Sequence, residues 1–494
     1  MNTNTHECSP EVQQPKRLVP IRVYQWFLIL IVVTFCTPPN TQAAPAPNII
    51  LIAIDDLNDY VGCLGGHPDA YIPNIDALAT EGALFTNAHC NSPVCNPSRA
   101  SIWTGLRPTT TGITTNPSGW FRDHPDYRDV ITMPQALEAA GYATAGFGKL
   151  FHLGHGNQRW PDWQQQRRYG YGPLLHEHMK YREGDALSDW GTPPPDAGLR
   201  RGPQPSSPEM AAFDEDIARS AIEFLKDDHS RPFFLGCGLF RPHTPLYAPK
   251  RWFDHFPPDE VDLPKVKPDD TDDLPYFGSK PRREVDIEAP GLWNHDWVLE
   301  NDQWRSIVRA YLASTSYADE QVGRIVEAWK RNKLRKNTYL ILFSDHGWHL
   351  GEKQHWGKAA LWEQTTNVPL IVAGPGIPKG VVSDAPVELL SLYPTLLDFA
   401  GVEAPDHLEG VSLLPLLEDA TAEWPHAAVT TFSEHHALKT ERYRYIRYVD
   451  GSEELYDHES DPNEWNNLAS TNHPALPELR EQLNSILTLP PIDP

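Results

Sequence analysis

Four stretches of the 494-residue chain are almost continuously apolar and then turn abruptly polar. Residues 48–54 run into Asp55-Asp56, 142–147 into Gly148-Lys149 and then His152, 233–240 into Arg241-Pro242-His243, and 339–343 into Ser344-Asp345-His346. Unbroken apolar runs, as opposed to alternating ones, predict parallel strands buried on both faces. Between them the apolar positions recur at helical spacing over 75–84, 133–140, 214–225 and the long 304–329 segment. This βαβα order predicts an α/β fold, a large mainly parallel central sheet flanked by helices on both faces. In open sheets of this kind ligands bind beyond the carboxyl ends of the strands, so the four polar strand ends share one crevice although they lie far apart in sequence.

The pattern changes after about residue 420. Residues 427–432 and 443–448 read as strands, Asp450-Gly451 is a hairpin-turn dipeptide before 454–456, and a closing helix over 477–487 packs on them. The organisation expected is therefore a catalytic domain over 45–420 and a small antiparallel-sheet subdomain over 421–494. Residues 154–210 and 256–302 are rich in Pro, Asp, Trp and Arg without periodicity, and read as loops over the crevice or as surface insertions. At the other end, Lys16, Arg17 and Arg22 precede an apolar stretch over 26–35, with Ala43 and Ala44 beyond it. That arrangement reads as a signal peptide over 1–44 and implies export to a periplasmic or extracellular location. The stretch falls short of the roughly 20 residues of a spanning helix, so no stable membrane insertion is expected. Phe35 precedes Cys36 where a lipoprotein would carry a small residue.

Composition narrows the chemistry. With 40% hydrophobic and 22% charged residues the chain is globular, and a formal net charge of −24 argues against nucleic acid as a partner. An anionic substrate would need a local pocket of cations. Of six cysteines, Cys8 and Cys36 leave with the signal; Cys63, Cys90, Cys95 and Cys237 are too few for a disulfide scaffold. One bridge among Cys63, Cys90 and Cys237 stays open.

The most specific stretch is Cys95-Asn96-Pro97-Ser98-Arg99, followed by Thr104-Gly105. It resembles the Cys-x-Pro-Ser-Arg signature of the type I sulfatases. The resemblance extends to Asp55-Asp56, the 148–152 run Gly-Lys-Leu-Phe-His, Arg241-Pro242-His243, Ser344-Asp345-His346-Gly347 and the closing Glu454-Leu455-Tyr456-Asp457. Within that family the chain is most similar to the iduronate-2-sulfatase branch, through Asp345-His346 and the 148–152 run. The fold implied is alkaline-phosphatase/sulfatase-like.

What the resemblance implies is a sulfuric ester hydrolase in which a maturation enzyme oxidises Cys95 to formylglycine (3-oxoalanine). A sulfate ester presents an anionic tetrahedral centre that a free hydroxyl attacks poorly at neutral pH, whereas an aldehyde hydrate can attack sulfur and later expel sulfate by elimination. The implied ligands of one divalent cation are Asp55, Asp56, Asp345, His346 and the oxidised side chain of Cys95. These hard oxygens suit Ca²⁺, with Mg²⁺ next; zinc is the alternative suggested by His346, His349 and His355, whose spacings make no standard zinc motif. Arg99 is implied to hold the nucleophile and the ligand carboxylates, and Lys149 and Lys358 to contact sulfate. His152 is implied as base in the elimination, and His243, alone or with Lys358, as acid for the leaving alcohol. The leading substrate is a sulfated carbohydrate, with 2-O-sulfated iduronate-like residues first. Two other readings are a phosphoester or phosphonate monoester hydrolase of the alkaline phosphatase superfamily, and an inactive carbohydrate-binding relative, which would normally have lost Cys95, Arg99 or an acid.

Overall fold

In the computed structural model the described residues are 46–152, 165–167, 208–244, 246, 248–279, 295–331 and 333–488. The expected signal segment and most of 154–210 lie outside them. The first apolar run forms strand β1 (Asn48–Ile54), buried at every residue. There follow helix α1 (Pro73–Glu81), strand β2 (Ala83–Phe85), helices α2 (Cys95–Thr104) and α3 (Met133–Ala139), and strands β3 (Ala143–Gly148) and β4 (Gln165–Arg167). Helix α4 (Pro208–Lys226), strand β5 (Phe233–Leu239), helix α5 (Trp304–Arg331) and strands β6 (Thr338–Ser344), β7 (Leu370–Ala373) and β8 (Val381–Ser383) complete the large layer.

The eight-stranded sheet has the order β8-β2-β7-β6-β1-β5-β3-β4. β1 pairs in parallel with both β5 and β6, β5 with β3, β3 with β4 and β2 with β8; only β7 runs antiparallel to its neighbours. Side chains of β1 alternate between two cores, as the two-residue period of a strand requires. Ile49, Leu51 and Ala53 join Ile102 and Trp103 of α2 and Leu137 of α3. Ile50, Ile52 and Ile54 join Ile75 and Leu78 of α1, Ile217 of α4 and Ile325 of α5. Helices therefore cover both faces, and each buried isoleucine contributes about 1.5–3 kcal/mol.

Three local expectations need correction. The helix read over 75–84 stops at Glu81, and Leu84 belongs to β2: a Cβ on Gly82 would collide with the Val372 carbonyl oxygen, so the chain leaves the helix where it must approach β7. Helix α4 starts at Pro208, not 214, because proline is at home in a first turn. Short helices Tyr276–Ser279 and His295–Glu300 lie inside the 256–302 region read as loop, too short to show a period.

The C-terminal part forms an antiparallel meander of β9 (Ala428–Phe432), β10 (His435–Lys439), β11 (Tyr443–Arg447) and β12 (Glu453–Asp457), closed by helix α6 (Leu476–Leu487). Gly451 at φ 82° supplies the turn between β11 and β12. Leu476, Leu479, Leu483 and Leu487 of α6 pack on Val429, Leu438, Tyr445 and Leu455. Cys63, Cys90 and Cys237 are free thiols, so no bridge joins them. Among the described residues no helix is long and apolar enough to cross a membrane.

Candidate active site

β1 and β6 stay in register to Ile54 and Ser344, so Asp55 and Asp345 leave the sheet side by side; the Asp345 N–H donates to the Ile54 carbonyl at 3.1 Å. On the other side of β1, β3 and β5 stay in register to Gly148 and Gly238. Gly148 sits at φ 83°, and a Cβ there would strike the Gly238 carbonyl, while one on Gly238 would strike that of Lys149. The two glycines let the strand ends close up, and Lys149 N–H donates to Gly238 O at 2.8 Å. That contact brings the Lys149 ammonium onto the Asp55 carboxylate.

Helix α2 opens with the signature itself: Val94 is extended (φ −148°, ψ 151°) and Cys95 is the first helical residue. Its Sγ lies 3.0 Å from Lys358 Nζ, 3.3 Å from His346 Nε2, 3.4 Å from Lys149 Nζ and 3.6 Å from Asp55 Oδ1. Arg99, one turn on, reaches both strand ends: its Nε donates to Asp345 Oδ2 at 2.7 Å and its Nη2 lies 3.4 Å from Asp55 Oδ1, while Nη1 donates to the Lys149 carbonyl. Ser98 adds a hydroxyl bond to Asp345 O at 2.6 Å.

Asp56 holds a left-handed backbone (φ 64°), a conformation aspartate tolerates better than most residues. The Tyr311 hydroxyl of α5 keeps it there, donating to Asp56 O at 2.6 Å and accepting from Asn58 N at 2.9 Å. Its side chain then meets Lys358 Nζ at 2.9 Å and His346 Nε2 at 3.3 Å through Oδ1, with His243 Nε2 3.9 Å from Oδ2. His152, the last residue of its described stretch, is half-buried beyond Lys149.

Asp55, Asp56, Arg99, Lys149, Asp345 and His346 are each at most 1% exposed. With Lys358 beside them, 12% exposed at its side chain, three carboxylates thus face the three cations Arg99, Lys149 and Lys358 in a nearly dry site, where charges act strongly on one another. Burial would raise the Asp55 carboxyl, but Lys149, His243, Arg99 and Lys358 together hold it well below the usual range. Asp56 goes the other way: burial, opposed by Lys358 and reinforced by Asp55, pushes it up to about 7. Burial, with Lys358 and Lys149 close by, holds the His243 imidazole well below its ordinary value. Against the pull of burial, Asp56, Cys95 and Asp55 keep Lys358 well above its own, so it stays an ammonium.

Ligand atoms of Asp55, Asp56, Cys95 and His346 lie within 4.8 Å of one another, with Asp345 Oδ2 beside them, 3.7 Å from His346 Nε2. Asp56 Oδ2 is buried with no hydrogen bond among the described residues, a costly state unless a cation meets it. These donors fit one hard divalent cation. The structure therefore gathers Asp55, Asp56, Cys95, Arg99, Lys149, His243, Asp345, His346 and Lys358 from six separate segments. Tyr311 escaped the sequence reading, since within a 28-residue amphipathic helix it looks like any other core position.

A family model described as Sulfatase matches residues 47–402, and one described as N-sulphoglucosamine sulphohydrolase, C-terminal, matches 351–489. A sulfatase of Formosa agariphila is 38% identical over 86% of this chain and 83% of its own. The human iduronate 2-sulfatase is 32% identical over 76% of this chain and 74% of its own. Among solved structures, the phosphonate monoester hydrolase of Agrobacterium radiobacter superposes with a TM-score of 0.70 at 21% identity, covering 90% of this chain and 95% of that one.

Proposed function

The chain belongs to the sulfatase family, and on that premise we propose that it is an exported enzyme that removes sulfate from a sulfated carbohydrate, with the side chain at position 95 as nucleophile. The observation that carries this reading is the convergence of Lys149, Lys358, His346 and Asp55 on Cys95 Sγ at the first turn of α2. Matured to formylglycine by a maturation enzyme, position 95 supplies a hydrated aldehyde in place of a thiol. One Ca²⁺ held by Asp55, Asp56, Asp345, His346 and the oxidised side chain supplies Lewis acidity and offsets the carboxylates.

The chain's own residues do the rest. Lys149 and Lys358 flank position 95 and bind the oxygens of the sulfuryl group as preorganised cations. Arg99 ties Asp55 to Asp345, so that both carboxylates keep their place as charge shifts. His243, 15% exposed at its side chain, lies on the open side of Asp56 and protonates the leaving alcohol, alone or with Lys358; an anionic ester beside it counters the cations that hold its proton affinity down. His152 takes up the proton released at position 95 as sulfate leaves. The division near residue 420 and the signal peptide over 1–44 complete the proposal. All signature acids and cations are present, which weighs against an inactive carbohydrate-binding relative.

Within carbohydrates, 2-O-sulfated uronates are the first candidate, on the likeness to iduronate 2-sulfatase. The test measures inorganic sulfate released from a 2-O-sulfated uronate oligosaccharide, a 6-O-sulfated hexosamine, choline sulfate and an aryl sulfate, and, beside these, the alcohol released from a phosphonate monoester. Turnover of a sulfated sugar supports the reading. Turnover of the phosphonate alone would replace it with the phosphonate hydrolase reading, which the shared fold keeps in play.

A further inference from the structure

Lys358 belongs to no helix or strand, yet its ammonium is held 3.0 Å from Cys95 Sγ and 2.9 Å from Asp56 Oδ1. A four-carbon side chain on a loop loses that geometry unless its backbone is fixed from outside. Three sets of contacts fix it. Ala359 takes a left-handed backbone (φ 69°), costly for any residue with a Cβ, and donates its N–H to Pro93 O at 3.0 Å. Arg444, fully buried on β11, donates through Nη1 to Leu361 O at 3.1 Å and pairs through Nη2 with Glu363 and through Nε with Glu464 Oε1 at 2.5 Å. Glu464 Oε2 in turn accepts the Glu363 N–H at 3.0 Å, and Glu454 Oε2 accepts Trp362 Nε1–H at 2.7 Å.

The apolar contacts run the same way. Ala359, Ala360, Leu361 and Trp362 form one core with Phe432, Ala437, Ile446, Tyr448 and Tyr456 of the C-terminal meander, and Val94 belongs to that core too. The residue before the nucleophile and the four residues after Lys358 therefore rest on one sheet. Arginine is the suitable residue for its centre, because a planar fork can serve a carbonyl and two carboxylates at once.

We propose that Arg444 is a positioning residue: with Glu464 and Trp362 it makes the C-terminal sheet the support that holds Lys358 against the nucleophile. The inference rests on the sulfatase reading for the role of Lys358 but not for the clamp itself, so two measurements separate them. The first is a double-mutant cycle of Arg444→Lys and Lys358→Ala, read as kcat/KM on an aryl sulfate. Arg444→Lys keeps the charge and loses the fork. It is expected to cost roughly tenfold or more in the wild-type background, the scale of a small misplacement of a reacting group. In the Lys358→Ala background it is expected to cost less than about twofold, since the residue it acts through is gone. A purely structural role would cost the same factor in both.

The second measurement needs no turnover: amide hydrogen exchange over residues 353–363 is expected to quicken in Arg444→Lys while β1 and β6 stay as protected as before. Trp362→Phe, which removes the bond to Glu454 together with part of the buried ring, gives the same readout should Arg444→Lys fold poorly. Equal losses in both backgrounds, or unchanged exchange over 353–363 in a folded variant, overturns the proposal. Wild-type protein inactive on every sulfate ester overturns the sulfatase reading and leaves exchange to decide the clamp.

Discussion

Cys95 and Asp345 show two ways in which a single residue is committed. Cys95 is 1% exposed, and burial, with Asp55 beside it, pushes its thiol up, so an unmodified thiol there is a poor nucleophile. Cys95→Ala is expected to lower turnover by at least about 10³-fold with circular dichroism unchanged, as for other covalent nucleophiles. Asp345→Asn removes one negative charge from the ligand set and weakens the partner of Arg99 Nε. Calcium titration by calorimetry should show affinity reduced by about tenfold or more; unchanged affinity would remove Asp345 from the set. Most residues of this cluster could be singled out in the sequence, because they stand at an apolar run's polar end or in the signature. Lys358 stands at neither and came only from the family resemblance, and the contacts made by Tyr311 and Ser98 had no sign at all. Tyr311 acts on the Asp56 backbone and Ser98 on that of Asp345, and contacts of that kind leave no pattern in the residue types.

Elements differ in how plainly they were written. β1, β3, β5 and β6 read directly because both faces are covered and their runs are nearly continuously apolar. β10 did not, since His435-His436-Ala437-Leu438-Lys439 hides a fully buried strand behind polar residues that find partners: His436 Nδ1 bonds the Thr431 hydroxyl at 3.1 Å and Lys439 Nζ the Thr440 carbonyl at 3.0 Å. The buried His436 gives a pH test. Burial, helped by Arg447 and His435, pushes its imidazole down to about 4, while an unfolded histidine titrates near 6.5. Between those values the unfolded chain binds more protons than the folded one, so stability falls as pH drops through that window, by about 3 kcal/mol in total. The difference in unfolding free energy between wild type and His436→Gln should therefore change between pH 7 and pH 4; a flat difference would deny the shift. Gly148→Ala tests the strand ends. At φ 83° and against Gly238 O the new Cβ has no room, so a loss of about 2–4 kcal/mol is expected, together with lower turnover as Lys149 is displaced.

At the scale of the molecule, a chain of net charge −24 concentrates Arg99, Lys149 and Lys358 at one sheet edge, where the buried acids offset them one for one. Added positive charge from a divalent cation then tips this edge toward binding an anion while the remaining surface repels one. Chelation should abolish activity and calcium restore it better than zinc. The sugar attached to the sulfate was the least legible feature, because 154–210, whose tryptophans and arginines suit sugar faces and carboxylates, lies largely outside the described residues. If the iduronate-like reading holds, kcat/KM on a 2-O-sulfated uronate oligosaccharide exceeds that on a 6-O-sulfated hexosamine by about tenfold or more, the scale of a well-placed polar contact. The most direct test of the whole account is the mass of the peptide carrying residue 95, taken from active protein made in a host that has a formylglycine-generating enzyme. The account predicts that this side chain has lost its sulfur and gained an aldehyde; an unmodified cysteine in fully active enzyme would contradict it.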